Sequence, residues 1–265
     1  MEERSQDVIR YRKNNVEWFL FNRPHVRNAE TEWMDEELVR TCEDVNKDPT
    51  VKALVFAGAA SQPPCFTSGA DFSRLGAIGS YDDIQKLEEC GERLTTAIES
   101  VRVPTIAAMA GHSIGGGVLI ATSCDLRIAS PSLKFGFPLA RTSGSCLSMR
   151  NFARLITLVG HNRAKEMIMS ARFLTADELL AAGGLNEIVP NEDQLLPRAQ
   201  EVAETFSNLS PLTIWATKEM ARRIRDFNIP ANADADLLSA CYLSDDFRRA
   251  VSAFKEKDAF EWTGR

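Results

Sequence analysis

The chain has 265 residues, with 31 Lys and Arg against 37 Asp and Glu, a formal net charge of −6 and 44 % hydrophobic residues. This composition is typical of globular proteins, and the length is sufficient to bury a large core without disulfides or metals. The acidic balance and the lack of a basic stripe argue against a nucleic-acid partner. No apolar run approaches the ~20 residues of a membrane span, and residues 1–7 lack the apolar segment of a secretory signal. We therefore expect no membrane partner.

The cysteines and histidines indicate a reducing environment and no metal. The six cysteines occur singly, most of them within apolar runs, and no Cys-x-x-Cys is present: Cys42, Cys65, Cys90, Cys124, Cys146 and Cys241. A reduced cysteine in such a run behaves as a small hydrophobe, which favours a cytoplasmic location. The three histidines form no pair at metal-ligand spacing, so no metal site is predicted.

In chain order, apolar patterning predicts a hairpin followed by alternating helices and strands. Asn14 and Asn15 separate the two β-rich runs of the hairpin. The predicted strands are 8–11, 16–21, 51–57, 105–110, 125–129 and 186–189. Two predicted helices begin at Thr31 and near Ile84, and a third runs from the glycine-rich turn to about Thr122. A fourth begins at the capping box Thr175 to Glu178, and three more lie near 195–207, 211–226 and 236–255. This alternation indicates an α/β fold with a parallel sheet and a helical C-terminal region whose apolar faces need a partner.

The turn at 111–117 invites two interpretations. Gly111, Ser113 and Gly115 match the Gly-x-Ser-x-Gly pattern of a nucleophile elbow, which would make Ser113 the nucleophile of a serine hydrolase. That chemistry needs a histidine base downstream, and only His161 follows, with more than a hundred residues still to come. An oxyanion motif of the His-Gly-Gly type is also missing upstream. The sequence therefore disfavours the hydrolase.

The second interpretation depends on the glycines. Gly115, Gly116 and Gly117 open a helix, where free backbone N–H groups and the positive helix end favour an anion or oxyanion. A second loop, 66–71, also follows a strand, so two N–H donors from two loops would grip one carbonyl oxygen and stabilise an enolate. The alternative is that the glycines only allow close packing of helix and strand. Spacing alone leaves both open.

Motifs in register along nearly the whole chain resemble the crotonase superfamily, the enoyl-CoA hydratases and isomerases. They are Phe21-Asn22-Arg23-Pro24 with Asn28; 51–57; 66–71; 104–111; 114–117; Cys124-Asp125; Phe135-Gly136 with Pro138; 175–178 with Ala182-Gly183; Val189-Pro190; and 252–254. The resemblance implies a spiral of ββα units over 1–195 that carries a CoA-thioester site. It also implies a helical oligomerisation region over 196–265 that builds homotrimers, often paired into hexamers.

The resemblance also implies a site. The N–H groups of Ser68 and Gly116 would form the oxyanion hole for an acyl-CoA thioester, with Gly69, Ala70 and Asp71 beside it. Asp71 would stabilise the turn. CoA would be part of the substrate, and no separate cofactor is implied. His25 and Arg27 match the stretch that often holds CoA phosphates, and Lys257 falls where a neighbouring subunit reaches the nucleotide, although each of the three is by default a surface charge.

The chain departs from the family at its acid/base positions. Where the hydratases carry two glutamates, this sequence has Leu119 and Leu139, which cannot transfer protons or orient water. The remaining candidates are His112, Arg141 as a carboxylate-binding group, and Cys146 if its pKa is lowered. A packed or solvated role is the stronger interpretation of each.

Three functional hypotheses result. The first is an acyl-CoA enzyme, a hydratase/isomerase-like lyase or isomerase of fatty acid metabolism, with atypical acid/base residues. The second is a non-catalytic acyl-CoA-binding paralogue. The third is the disfavoured serine hydrolase with Ser113 as nucleophile.

Overall fold

The computed structural model describes residues 6–71, 76, 78–227, 229, 233–256 and 262–263. Its strands are β1 (Val8–Lys13), β2 (Val16–Phe21), β3 (Ala53–Gly58), β4 (Cys65–Thr67), β5 (Thr105–Met109), β6 (His112–Ile114), β7 (Leu126–Ala129), β8 (Lys134–Gly136), β9 (Leu174–Thr175) and β10 (Glu187–Ile188). Its α-helices are α1 (Glu32–Lys47), α2 (Tyr81–Glu99), α3 (Gly116–Ser123), α4 (Met149–Ser170), α5 (Ala176–Ala181), α6 (Leu195–Glu204), α7 (Pro211–Asp226), α8 (Ala235–Tyr242) and α9 (Asp245–Glu256).

The main sheet confirms the predicted parallel α/β architecture. Its strand order is β1-β2-β3-β5-β7-β10, and every neighbouring pair is parallel except the N-terminal hairpin β1-β2. Asn14 turns that hairpin at a φ of 55°, which asparagine tolerates better than most residues. The parallel strands are buried along most of their length, as expected of a sheet covered on both faces.

A second sheet of short strands, in the order β4-β6-β8-β9, was not predicted from the sequence. It corrects one expectation. The chain does not pass from β5 straight into the glycine-led helix, because Gly111 turns it at a φ of 62° into β6 first. The chain therefore repeats a unit of long strand, short strand and helix: β3-β4-α2, β5-β6-α3 and β7-β8-α4. These units are the ββα units expected from the resemblance.

The two faces of the main sheet are covered by different helices. One face packs with α1, α3 and α4 in the larger core, where Phe19, Phe56 and Phe66 are fully buried. The other face is covered by α6 through Leu195, Ala199 and Ala203. Trp18 Nε1 on β2 also donates to Gln200 Oε1 of α6 at 2.7 Å. The boundary expected at residue 195 stays a prediction, and the helix that follows it packs on the sheet.

The C-terminal region begins as predicted and then differs. α7 has the expected bounds, but the single helix expected over 236–255 is two helices, α8 and α9, separated at Leu243 and Ser244. Ser244 ends one helix and starts the next, because its Oγ donates to Cys241 O at 2.8 Å and accepts from Phe247 N at 3.0 Å. None of the helices within the described ranges is both long and apolar enough to cross a bilayer.

Two glycine substitutions test how the fold depends on close packing. A Cβ on Gly117 would lie 2.7 Å from Thr67 Cγ2 and 2.9 Å from Thr67 O, so Gly117→Ala should destabilise the protein by about 1–3 kcal/mol.

A Cβ on Gly91, in the middle of α2, meets no atom within 4 Å. Gly91→Ala should therefore stabilise the protein by about 0.5–1 kcal/mol, because glycine costs that much inside a helix. Urea unfolding of both variants measures the two signs, and an unchanged stability for Gly117→Ala would contradict the close contact.

Candidate active site

A cavity of about 200 Å³ lies where α2, α3 and the segment 137–148 meet the end of β4. Its wall includes Ser68, Gly69 and Ala70 of the first predicted loop and Gly115 and Gly116 of the glycine-rich turn. The two turns that the sequence singled out therefore contribute to one cavity, although α2, β5 and β6 lie between them in the chain.

The two turns pack against each other at backbone distance. Gly69 has a φ of 87°, and a Cβ there would lie 2.7 Å from Ile114 O and 3.0 Å from Gly116 N. A Cβ on Gly117 would likewise lie too close to Thr67, a residue of β4. The packing interpretation of these glycines therefore has support at Gly69 and Gly117, and Gly116 both lines the cavity and lies too close to Glu30 to carry a Cβ.

The two predicted donors differ in their hydrogen bonding. Gly116 is the first residue of α3, so its N–H has no acceptor within the helix. Ser68 N–H instead donates to Arg27 O at 3.0 Å, and the neighbouring Gly69 N–H donates to Thr67 Oγ1 at 3.0 Å. Ser68 therefore lines the cavity together with Gly116, but its N–H already donates to Arg27 O.

Leu119 and Leu139 both line the cavity. Leu119 lies one turn into α3 from Gly116, and Leu139 follows β8. Together with Phe137 and Leu147 they form an apolar wall that offers no proton donor or acceptor.

Cys146 also lines the cavity, but as a thiol. Its hydrogen bond with Cys241, its burial and the nearby acids Glu88 and Asp234 raise its pKa well above the ordinary value. The nucleophile or base role of Cys146 depends on a lowered pKa, and these neighbours shift its pKa in the opposite direction.

His112 and Arg141 are not among the residues that line the cavity, and their candidate roles stay predictions. His112 lies on β6 with its pKa lowered by burial and by Lys134 and Arg27. The Arg141 guanidinium lies 5.8 Å from the centroid of the Phe173 ring. A cation held over an aromatic face is a packing contact rather than a carboxylate receptor aimed at the cavity.

Ser113 has none of the requirements of a nucleophile. It is 0 % exposed, and within the part of the chain that the structure describes its Oγ has no hydrogen-bond partner and hence no base. The serine hydrolase interpretation therefore has no structural support.

The expected CoA contacts lie at the surface where the structure describes them. His25 and Arg27 are exposed on and beside a short 3-10 turn, while Lys257 lies outside the described residues. Asp71 N–H donates to Glu30 O at 3.0 Å, and the Asp71 carboxylate lies 3.8 Å from Arg23 Nη1, contacts that hold the turn.

Sequence reasoning missed three carboxyl groups in the cavity wall: Glu30, Asp35 and Glu88. Glu30 is 4 % exposed, accepts from Thr67 Oγ1 at 2.9 Å, and places Oε2 only 2.1 Å from where a Cβ on Gly116 would stand. Glu30 therefore contributes to the requirement for glycine at position 116.

Glu88 lies on α2 beside Tyr242 of α8, whose hydroxyl is 3.5 Å from Glu88 Oε1. Burial, reinforced by Asp234 and Glu92, raises the pKa of Glu88 to about 6. Hydrogen bonds from Ser148 and Tyr242 offset part of this shift. A carboxyl group with a pKa in this range can both accept and release a proton near neutral pH.

A family model described as enoyl-CoA hydratase/isomerase matches residues 11–265. The chain belongs to this family. It is 30 % identical over 260 residues to a short-chain-enoyl-CoA hydratase of Clostridium acetobutylicum, covering 96 % of this chain and 97 % of the relative. It is 31 % identical over 248 residues to a probable enoyl-CoA hydratase of Mycobacterium leprae, covering 92 % and 93 %.

The fold of this enoyl-CoA hydratase/isomerase family member matches solved structures along the whole chain. A methylmalonyl-CoA decarboxylase in complex with 2-nitronate-propionyl-CoA superposes with a TM-score of 0.88 at 24 % identity, covering 98 % of this chain and 99 % of that one. At this identity the match shows the fold alone, and it agrees with the crotonase-type ββα units described above.

One signal in the family member's sequence does point to Glu88. Ile84, Leu94 and Ile98 are buried on one face of α2, and Glu88 lies one turn after Ile84, where that stripe predicts an apolar residue. Gly91 interrupts the same stripe one turn later. A charged residue and a glycine within an apolar stripe indicate that the stripe lines a cavity there.

The raised pKa of Glu88 predicts a pH-dependent stability. The native state binds this proton more tightly than the unfolded state, so the contribution of Glu88 to stability falls as pH rises from about 4.5 to about 6. Glu88→Gln should match wild type at pH 4.5 and be more stable at pH 8 by about 1 kcal/mol, since solvent screens part of the shift. Denaturant unfolding at the two pH values measures this difference. The exposed neighbour provides the control, because Glu89→Gln should show the same difference from wild type at both pH values.

Proposed function

We propose that this protein is a lyase or isomerase that binds an acyl-CoA and polarises the thioester carbonyl with backbone N–H groups. The observation that carries the proposal is the convergence of the turns at Ser68 and Gly116 on one cavity wall, with Gly116 N–H at the start of α3. The hydratase names of its relatives support the substrate class.

The Gly116 N–H is the principal donor in this proposal. It lies at the positive end of α3 and has no helical acceptor, so a carbonyl oxygen that gains negative charge is stabilised there. Ser68 N–H becomes the second donor when it exchanges Arg27 O, at 3.0 Å, for the thioester oxygen. The thioester oxygen is favoured in that exchange when it carries the charge of an enolate, because hydrogen bonds to charged acceptors are stronger than those to neutral carbonyls.

The size of the cavity limits what it holds. At about 200 Å³ it is smaller than the ~300–1,000 Å³ of sites for drug-sized ligands, so it takes the acyl end and leaves most of CoA at the surface. Arg27 is exposed, and its backbone adjoins Ser68 at the cavity wall. Its side chain is therefore available for a CoA phosphate, and a guanidinium suits that contact.

The apolar wall selects among the family's reactions. With Leu119 and Leu139 in the cavity, no carboxylate at these positions activates a water molecule for addition to a double bond. Proton transfer at carbon needs only one acid/base group beside the oxyanion donors, which favours isomerase chemistry. The same leucines favour the second candidate, a non-catalytic acyl-CoA binder, if the cavity supplies no such group.

The oligomeric part of the proposal depends on α7. Its surface exposes Leu212, Met220 and Ile224, and the exposed Phe227 follows the helix. Single exposed apolar residues are normal on a monomer, whereas a group of this size indicates an interaction surface. We propose that further copies of the chain cover it in a homo-oligomer.

A hydration assay with crotonyl-CoA tests the role of the two leucines. Wild type should bind acetoacetyl-CoA but hydrate crotonyl-CoA slowly, and Leu119→Glu/Leu139→Glu should hydrate it at least about tenfold faster, since acid–base catalysis contributes about 10²–10⁴-fold when well positioned. The double variant Leu119→Gln/Leu139→Gln supplies similar size and polarity without a carboxylate, and should remain slow. Wild-type turnover within the usual enzyme range of about 1–10³ s⁻¹ would show that the leucines do not remove this chemistry. Failure of wild type to bind any acyl-CoA would overturn the proposed function.

A further inference from the structure

Glu88 is an acidic residue of the cavity wall and belongs to α2, an element not used by the backbone donors. It lies in the wall with Leu87 and Gly91 of the same helix, whereas Ser68 and Gly116 belong to the two turns. Because Gly91 has no side chain, and a Cβ there would meet nothing within 4 Å, the wall is open at Gly91, one helical turn after Glu88. Tyr242 and Ser148 hold the carboxyl group by hydrogen bonds.

We propose that Glu88 is the catalytic acid/base that moves a proton to and from the acyl carbon next to the thioester carbonyl. The inference rests on the proposed function and names the group that replaces the carboxylates missing at Leu119 and Leu139. It assigns proton transfer to α2, an element in which the sequence analysis placed no site residue.

The step conserves atoms and charge. The ionised Glu88 carboxylate takes a proton from the carbon next to the carbonyl, and the C–H electron pair forms the carbon–carbon double bond of the enolate. The carbonyl π electrons move to oxygen, where Gly116 N–H holds the charge. The neutral Glu88 carboxylic acid then returns the proton to the same carbon or, in an unsaturated acyl chain, to the carbon two positions further on.

The other two carboxyl groups in the wall are less suited to this step. Glu30 has one oxygen in a hydrogen bond with Thr67 and the other against Gly116, so it is fixed within the wall. Asp35 lies in the first turn of α1, where its carboxylate is placed at the positive end of that helix. Glu88 lies in the middle of α2, away from either helix end.

The surroundings of Glu88 determine its pH dependence. Asp234 and Glu92 disfavour its charged form, as does burial, while Tyr242 and Ser148 donate to it. The Cys146 thiol and the Tyr242 phenol, both with raised pKa values, stay protonated near neutral pH. The Cys241 thiol, whose hydrogen bond with Cys146 lowers its pKa to about 7, titrates about one pH unit higher than Glu88 and does not line the cavity. Glu88 is thus the group of the cavity wall that titrates near pH 6, and a reaction that needs its carboxylate should accelerate as pH rises through about 6.

Deuterium exchange tests the assignment directly. 3-Butenoyl-CoA is incubated with the full-length protein in D₂O, and deuterium in the recovered acyl-CoA is measured by mass spectrometry against an enzyme-free blank. We expect wild type to catalyse exchange, Glu88→Gln to slow it at least about a hundredfold, and Glu89→Gln to leave it unchanged. Calorimetric titration with acetoacetyl-CoA should give the same dissociation constant for all three proteins within about twofold.

The outcomes separate this inference from the proposed function. Exchange by Glu88→Gln at the wild-type rate, or loss of exchange in Glu30→Gln alone, overturns the role of Glu88. Binding without exchange by wild type also overturns it and leaves an acyl-CoA binder, whereas absence of binding overturns the proposed function itself. The pH dependence of the exchange rate is measured on wild type, so this test does not depend on the folding of a variant. A rate that rises with a midpoint near pH 6 supports the role of Glu88, and a rate that is constant between pH 5 and 7.5 contradicts it.

Discussion

The contact between two glycine turns is the constraint on which the cavity depends. The turn after β4 and the turn before α3 approach so closely that side chains on Gly69 and Gly117 would collide with backbone or buried atoms of the opposite turn. This contact holds the end of one short sheet strand against the start of a helix, and it fixes where Gly116 N–H points. The second sheet, although its strands are short, is therefore the part of the fold that positions the two turns whose N–H groups we propose as donors.

This arrangement separates the backbone part of the site from its side chains. The donor at Gly116 is set by packing, so it persists whatever residues stand at 119 and 139. The side chains of Leu119 and Leu139 face the cavity and carry no fold-defining hydrogen bond. The residues at these two positions can therefore differ without a change of fold, and a residue on another wall of the same cavity, such as Glu88, is available to the proposed oxyanion donors.

The sequence predicted the long elements and missed the short ones for a physical reason. The hairpin at Asn14, the parallel strands and α7 have clear periodicity or turn chemistry, and the structure confirms them. Strands such as β4, β6 and β8, of three residues each, are too short to show a period-two pattern, so the second sheet emerged only in three dimensions. The break at Ser244 between α8 and α9 was missed because it has neither glycine nor proline.

The sequence predicted some residues of the candidate site and missed others. Both glycine turns were found from composition and order, because close backbone approach requires glycine. Arg141 and His112 are neighbours in sequence of cavity residues but do not line the cavity themselves, because adjacent residues need not face the same way. Glu30 had no local signal, since its proximity to Gly116 depends on the pairing of residues 30 and 70. Glu88 interrupted an apolar stripe and could have been identified from that interruption.

In the proposed reaction, the distribution of charge explains why a buried acid on α2 suits the formation of an enolate. When Glu88 takes a proton from carbon, the net charge of the cavity does not change, because the negative charge moves from Glu88 to the thioester oxygen. Burial and the acids Asp234 and Glu92 disfavour charge at the first position, and the start of α3 favours it at the second. The cavity therefore opposes charge where the reaction begins and stabilises it where the enolate forms. Both effects lower the free energy of the enolate relative to the ionised ground state.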